Sequence, residues 1–275
     1  MKNPSKKVQP DIHYPFLIHC FDIALDRVKI LGIKRTFVYL VVCKIPRTEV
    51  NFLLGTSQIR RTVSRNSMKQ HALQTIGQFE QIRIDFKNEY HNGNLSENDF
   101  KGQVFNRIDK VIIFLNLNLQ NFHDNLNNKL KFDRILPTAS EYDYKEVLRH
   151  YFIQTKASFI YGISSVIETF FRELHKVLFP NKNIDKKSLY EILNQIFNKL
   201  ELEKNENWIA MMVLSNIRNT IHNNGIHISE DRTFIYHNYE IIFNYNLPQN
   251  VALYDILSLI LYDFLKLFKV INNKI

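Results

Sequence analysis

Cysteine is nearly absent. Only Cys20 and Cys43 occur, with no CxxC pair, which excludes a disulfide framework and a zinc ribbon and points to a reducing, cytoplasmic setting. Glycine and proline are also few, seven of each in 275 residues, so the chain has little punctuation between its periodic segments. Long apolar runs are missing: tight ones such as Thr36 to Cys43 and Val111 to Leu115 fall far short of the roughly 20 residues that span a bilayer. The N-terminal string MKNPSKKVQPDIHYP has no apolar signal core, so neither secretion nor a membrane partner is expected. There is no phosphate-binding glycine loop, no GxSxG elbow and no Cys/His nucleophile arrangement. His13, His71, His123, His150 and His175 are scattered without ligand-like spacing, so no metal and no cofactor is expected.

What is present is ordinary globular material, 45% hydrophobic and 23% charged, in a chain long enough for two lobes. The net charge of +9 is uneven. Residues 1–140 carry 21 Lys/Arg against 12 Asp/Glu, whereas residues 141–275 carry 15 of each. From Arg27 to Lys69 ten basic residues face only Glu49, and Arg60, Arg61 and Arg65 cluster at one end. Such a run either solvates a surface or attracts a phosphate-bearing partner such as RNA.

Apolar spacing is mainly helical. Helices are expected over Asp11 to Ile33 and 67–90, and the apolar stretch Thr36 to Leu54 fits either a helix or a strand, with helix preferred. After the turn at Asn92-Gly93-Asn94, a start signal at Ser96 with Glu97 and Asp99 precedes a helix over about 97–130. Its stripe is Val104, Ile108, Val111, Ile112, Leu115, Leu119, Phe122 and Leu126. Lys131 to Ser140 breaks the periodicity at Pro137, which places a lobe boundary there: a basic, mostly helical region over 1–139 and a helical domain over 140–275. In the second, helices are expected from Asp143 to Leu178, from Lys187 to Leu202 and from Asn207 to His222. Asn223-Asn224-Gly225 supplies the last stop. A hairpin of Thr233 to Tyr236 and Glu240 to Tyr245 turns at His237-Asn238 and leads into a last helix over about 250–271. The fold class is all-α, with one small β-hairpin before the final helix.

The string Ile217-Arg218-Asn219-Thr220-Ile221-His222 carries the chemistry. Arg218 and His222 are four apart, so both side chains leave one helical face. A guanidinium is permanently cationic and grips phosphate oxygens, while an imidazole exchanges protons near neutral pH. The plain alternative is that basic groups in a last helical turn interact with its exposed carbonyls. The string resembles the Arg-Asn…His signature of the HEPN superfamily, small helical bundles whose ribonuclease members carry it near the end of a core helix. The upstream segment Ala157 to Leu174, with acidic Glu168 before Phe170-Phe171, and the downstream hairpin and final helix resemble the same superfamily. The likeness covers about half of the chain.

That resemblance implies a metal-independent endoribonuclease acting through the neighbouring ribose 2′-hydroxyl and leaving 2′,3′-cyclic phosphate ends. Arg218 would hold the scissile phosphate, His222 would act as general acid or base, and Asn219 would orient them. Glu168 and Arg172, four apart, either support that site or form a structural ion pair. It further implies a homodimer joined near Arg218 and a role as a toxin or antiviral defence effector, with an antitoxin or defence partner. Three residues separate Arg218 from His222 where the family pattern has four to six. The other reading is therefore a non-catalytic module that binds nucleotides or proteins.

Overall fold

A computed structural model describes residues 65–223, 225–248 and 253–275. The helices expected over Asp11 to Ile33 and Thr36 to Leu54, and most of the basic run with Arg60 and Arg61, lie outside the described residues. Seven α-helices occur among the described residues: α1 Arg65–Asn92, α2 Phe100–Asn121, α3 Lys129–Ile135, α4 Glu141–Leu178, α5 Leu189–Lys199, α6 Glu206–His222 and α7 Tyr254–Asn272. The two strands β1 Arg232–Tyr236 and β2 Tyr239–Phe243 form an antiparallel hairpin between α6 and α7, pairing Phe234 with Ile241. The protein is thus all-α with one small hairpin before its last helix.

Local chemistry sets the helix boundaries. Ser140 and Ser188 each accept a hydrogen bond from the backbone N–H three residues on, and Asp143 and Glu191 reach back, so α4 and α5 both start on a capping box. The start of α2 falls later than the Ser96 signal: Asp99 is its cap, accepting from the Lys101 N–H. Gly102 in the first turn passes so close to Ser96 that a Cβ would lie 1.9 Å from the Ser96 carbonyl oxygen. The helix expected over 97–130 does not run through. It ends at Asn121, continues as a π-helical turn over Phe122–Leu126, and a new helix begins beyond Asn128. The physical cause is asparagine: extended Asn128 accepts from the N–H groups of Leu130 and Lys131, which starts α3 rather than prolonging α2. Val111 is half-buried, whereas the rest of the α2 stripe is buried. Likewise α7 starts at Tyr254, with Leu253 extended before it.

Helices on both sides of residue 139 share one core. Phe79 of α1 meets Phe159 of α4 edge-on at 4.9 Å and Tyr254 of α7 at 6.0 Å. Phe105 of α2 meets Phe268 of α7 at 4.6 Å, and Phe170 of α4 meets Phe264 and Phe268. Each such ring removes apolar surface from water for about 1.5–3 kcal/mol, and edge-to-face pairs add about 0.5–1.5 kcal/mol. Polar links follow the same route: Gln78 donates to Ser258 at 2.7 Å and Lys269 pairs with Glu89 at 2.9 Å. Among the described residues, no helix is long and apolar enough to cross a membrane.

Candidate functional site

Two helices present the residues singled out by the sequence. Trp208, Met211, Met212, Leu214 and Ile217 of α6 are buried, which fixes its rotation and turns Arg218, Asn219 and His222 outward. Two polar side chains on the inner face are satisfied locally: Asn216 donates to the Met212 carbonyl and Thr220 to the Asn216 carbonyl. The helix ends as expected. Asn223 donates to the Asn219 carbonyl, and Gly225, at φ 83°, sends its N–H to the Thr220 carbonyl at 2.9 Å. That left-handed turn is glycine's natural place and leaves His222 exposed in the last turn.

Facing this end of α6 is a stripe of α4 formed by Tyr161, Glu168 and Arg172, spaced by seven and four residues. Glu168 is the hub. Its Oε1 accepts from Arg172 Nε at 2.9 Å and Nη2 at 2.7 Å. Arg172 also donates to the carbonyls of Ile184 and Lys187, tying the segment before α5 to α4. On the other side, Arg218 Nη1 lies 3.1 Å from Glu168 Oε2. That contact is close enough for an ion pair but misaligned for a hydrogen bond, and Oε2 remains buried without one.

The two arginines therefore differ in what they can still do. Arg172 spends its donors on four internal contacts. Arg218 is held by charge alone and, among the described residues, makes no aligned hydrogen bond, so the N–H donors on its exposed side remain available to a ligand. Its side chain keeps 31% of its surface exposed against 13% for Glu168.

His222 packs its ring against Tyr161 of α4, centroids 4.8 Å apart at 69°, and neither ring nitrogen makes a hydrogen bond among the described residues. Burial pushes the Tyr161 phenol above its ordinary value, against the opposing pull of the Arg218 charge. Tyr161 thus sits within reach of both Arg218 and His222. The sequence placed it in a helix segment but assigned it no role. Its signal was its position, seven residues or about two helical turns before Glu168 and so on the same face.

Asn219 is exposed, and its side chain makes no hydrogen bond to Arg218 or His222. The contacts that place those two come from Glu168 and Tyr161. Arg65 opens α1, and its side chain, with Arg60 and Arg61, lies outside the described residues. His227, the next histidine in the sequence, is buried, with Nε2 2.9 Å from the Glu230 carbonyl oxygen and its ring near Phe243. It plays no part at the α6 terminus.

A second polar cluster was not foreseen. Asp263, on the buried face of α7, accepts from Tyr236 and His237 of the hairpin, both at 2.8 Å, and from Lys266 at 2.9 Å. A lone acid within the run Ile260, Leu261, Phe264, Leu265 was the available signal. Among the described residues, no group of three His, Cys, Asp or Glu side chains could hold a metal ion. Comparison of the chain with family models, with curated proteins and with solved structures returns no match.

Proposed function

We propose that the protein is a metal-independent endoribonuclease of HEPN type, with Arg218 and His222 as its catalytic pair. The observation that supports this reading is the state of the two side chains: they leave the same end of α6, the guanidinium keeps its donors and the imidazole is exposed with both nitrogens free. In the proposed step, Arg218 binds the scissile phosphate and neutralises the charge that grows on its oxygens. Neutral His222 takes the proton of the neighbouring 2′-hydroxyl, whose oxygen attacks phosphorus as the bond to the 5′-oxygen breaks. The leaving oxygen is protonated by imidazolium or water. Products are a 2′,3′-cyclic phosphate and a free 5′-hydroxyl.

The proposal extends to a cytoplasmic toxin or antiviral defence effector with an antitoxin or defence partner. It acts as a homodimer that brings two α6 termini together, and Arg60, Arg61 and Arg65 add affinity for RNA. The test is cleavage of single-stranded RNA in chelator by wild type, Arg218→Ala and His222→Ala. Loss of cleavage in both variants supports the proposal, and equal background cleavage by all three removes it.

The Glu168–Arg218 pair favours a second reading, a non-catalytic HEPN-like module in which Arg218 braces the bundle and the exposed surface binds a nucleotide or protein. Under that reading Arg218→Ala lowers stability and no chain scission is seen with any variant.

A further inference from the structure

Tyr161 belongs to the same exposed corner as Arg218 and His222 but reaches it from a different helix. Its ring is fixed by the edge-on contact with His222. Its hydroxyl makes no hydrogen bond among the described residues. Burial raises its pKa despite the nearby guanidinium, so the phenol keeps its proton throughout the neutral range and remains a donor. An unpaired donor, a guanidinium with free N–H groups and an imidazole with free nitrogens thus converge. Glu168, behind Arg218, supplies the negative charge that holds the guanidinium without saturating it. A tetrahedral oxyanion with several acceptor oxygens is the ligand class that matches three donors on two helices.

We infer that Tyr161 is the third ligand of a phosphodiester site, donating its hydroxyl to a non-bridging oxygen of the phosphate held by Arg218 while its ring holds His222 in place. This rests on the reading of Arg218 and His222 as the phosphate-facing pair, and it adds a residue to that site. The hydroxyl contact is made to the ground-state phosphate as well as during reaction, so it is read in binding without any turnover.

The experiment uses the full chain and a dinucleotide whose riboses are 2′-O-methylated, which removes the attacking group. A dinucleotide carries a single phosphodiester, so its binding reads the contacts to one phosphate. Affinity is measured by NMR titration for wild type, Tyr161→Phe, Tyr161→Ala and Arg218→Ala. Phenylalanine keeps the ring against His222 and deletes only the donor. It is expected to weaken binding about tenfold, as loss of one hydrogen bond to a charged group does, with an unchanged melting temperature. Arg218→Ala is expected to weaken it further. Equal affinity of Tyr161→Phe and wild type overturns the inference even where wild type cleaves RNA. Absence of binding by wild type overturns it as well. Weakened binding by Tyr161→Phe in a protein that cuts no RNA sustains the inference while removing the nuclease proposal.

Discussion

Glu168 and Arg218 lie 3.1 Å apart, Oε2 to Nη1, across two helices, while the other oxygen of the same carboxylate is gripped twice by Arg172. One acid therefore pairs with two guanidiniums in unequal ways, locking one and only tethering the other, and the trio keeps one net positive charge. This asymmetry lets a single stripe of α4 serve both the packing of the segment before α5 and the exposed end of α6.

Removing that acid exposes the dependence. Glu168→Ala leaves Arg172 and Arg218 without their counter-charge in a half-buried setting. Stability is expected to fall by about 1–3 kcal/mol, below the figure for a fully buried pair because solvent screens both arginines. Urea unfolding reads this as a lower midpoint at unchanged slope, and an unmoved midpoint would contradict the hub role.

The hairpin clamp carries a pH signature. Burial alone would push the Asp263 carboxyl up, yet hydrogen bonds from Lys266, Tyr236 and His237 outweigh it and hold its pKa below the ordinary value. A carboxyl depressed in the folded state stabilises above its unfolded value of about 3.9 and loses that contribution as pH falls through the lower folded value. Asp263→Asn is expected to cost about 2–4 kcal/mol at neutral pH. The gap to wild type should narrow below about pH 4. A gap that stays constant from pH 7 to pH 3 speaks against the clamp.

Lys156 shifts stability in the same direction with pH, but in an alkaline window. It is buried beside the Tyr254 ring, and burial lowers its pKa from 10.5 to about 8. Between those two values the unfolded chain binds the proton and the folded chain does not, so wild-type stability rises with pH across that window. Relative to Lys156→Met, the wild type should gain on the order of 3 kcal/mol from pH 8 to 10.5. Parallel stability curves for the two proteins would show that Lys156 does not titrate abnormally.

Two helical glycines should respond in opposite directions. At Gly77 an added Cβ meets nothing within 4 Å, so Gly77→Ala should stabilise α1 by about 0.5–1 kcal/mol. At Gly162, next to Tyr161, it would come within 2.9 Å of Val111 on α2. There the overpacking outweighs the helix gain, and Gly162→Ala should cost about 1–2 kcal/mol. Thermal melts of the pair test this contrast; shifts of the same sign would refute it.

Much of the fold was legible because apolar spacing and caps agree. The stripe Ile192, Leu193, Ile196, Phe197 and the Ser188 box fix α5, and Asn223 with Gly225 fixes the end of α6. The break after Asn121 was not legible, because the apolar stripe runs on through Phe122 and Leu126 while the asparagines redirect the backbone. At the site, the shared face of Arg218 and His222 follows from a spacing of four. The Glu168–Arg172 pair follows from the same spacing, whereas the roles of Tyr161 and Asp263 do not, since each depends on which helices pack together. Ile113, Phe114 and Leu117 make the same point from the other side: they are apolar by sequence yet exposed on α2.

The most direct measurement of the central claim places a single 2′-deoxyribose in an RNA substrate, immediately 5′ to the mapped cleavage bond, and follows scission in chelator. If Arg218 and His222 work together on a ribose-assisted phosphoryl transfer, that one substitution abolishes cutting at the bond, and the all-ribose product carries a 2′,3′-cyclic phosphate. Cutting that persists at the substituted bond, or products with free 3′-hydroxyls, would contradict the account.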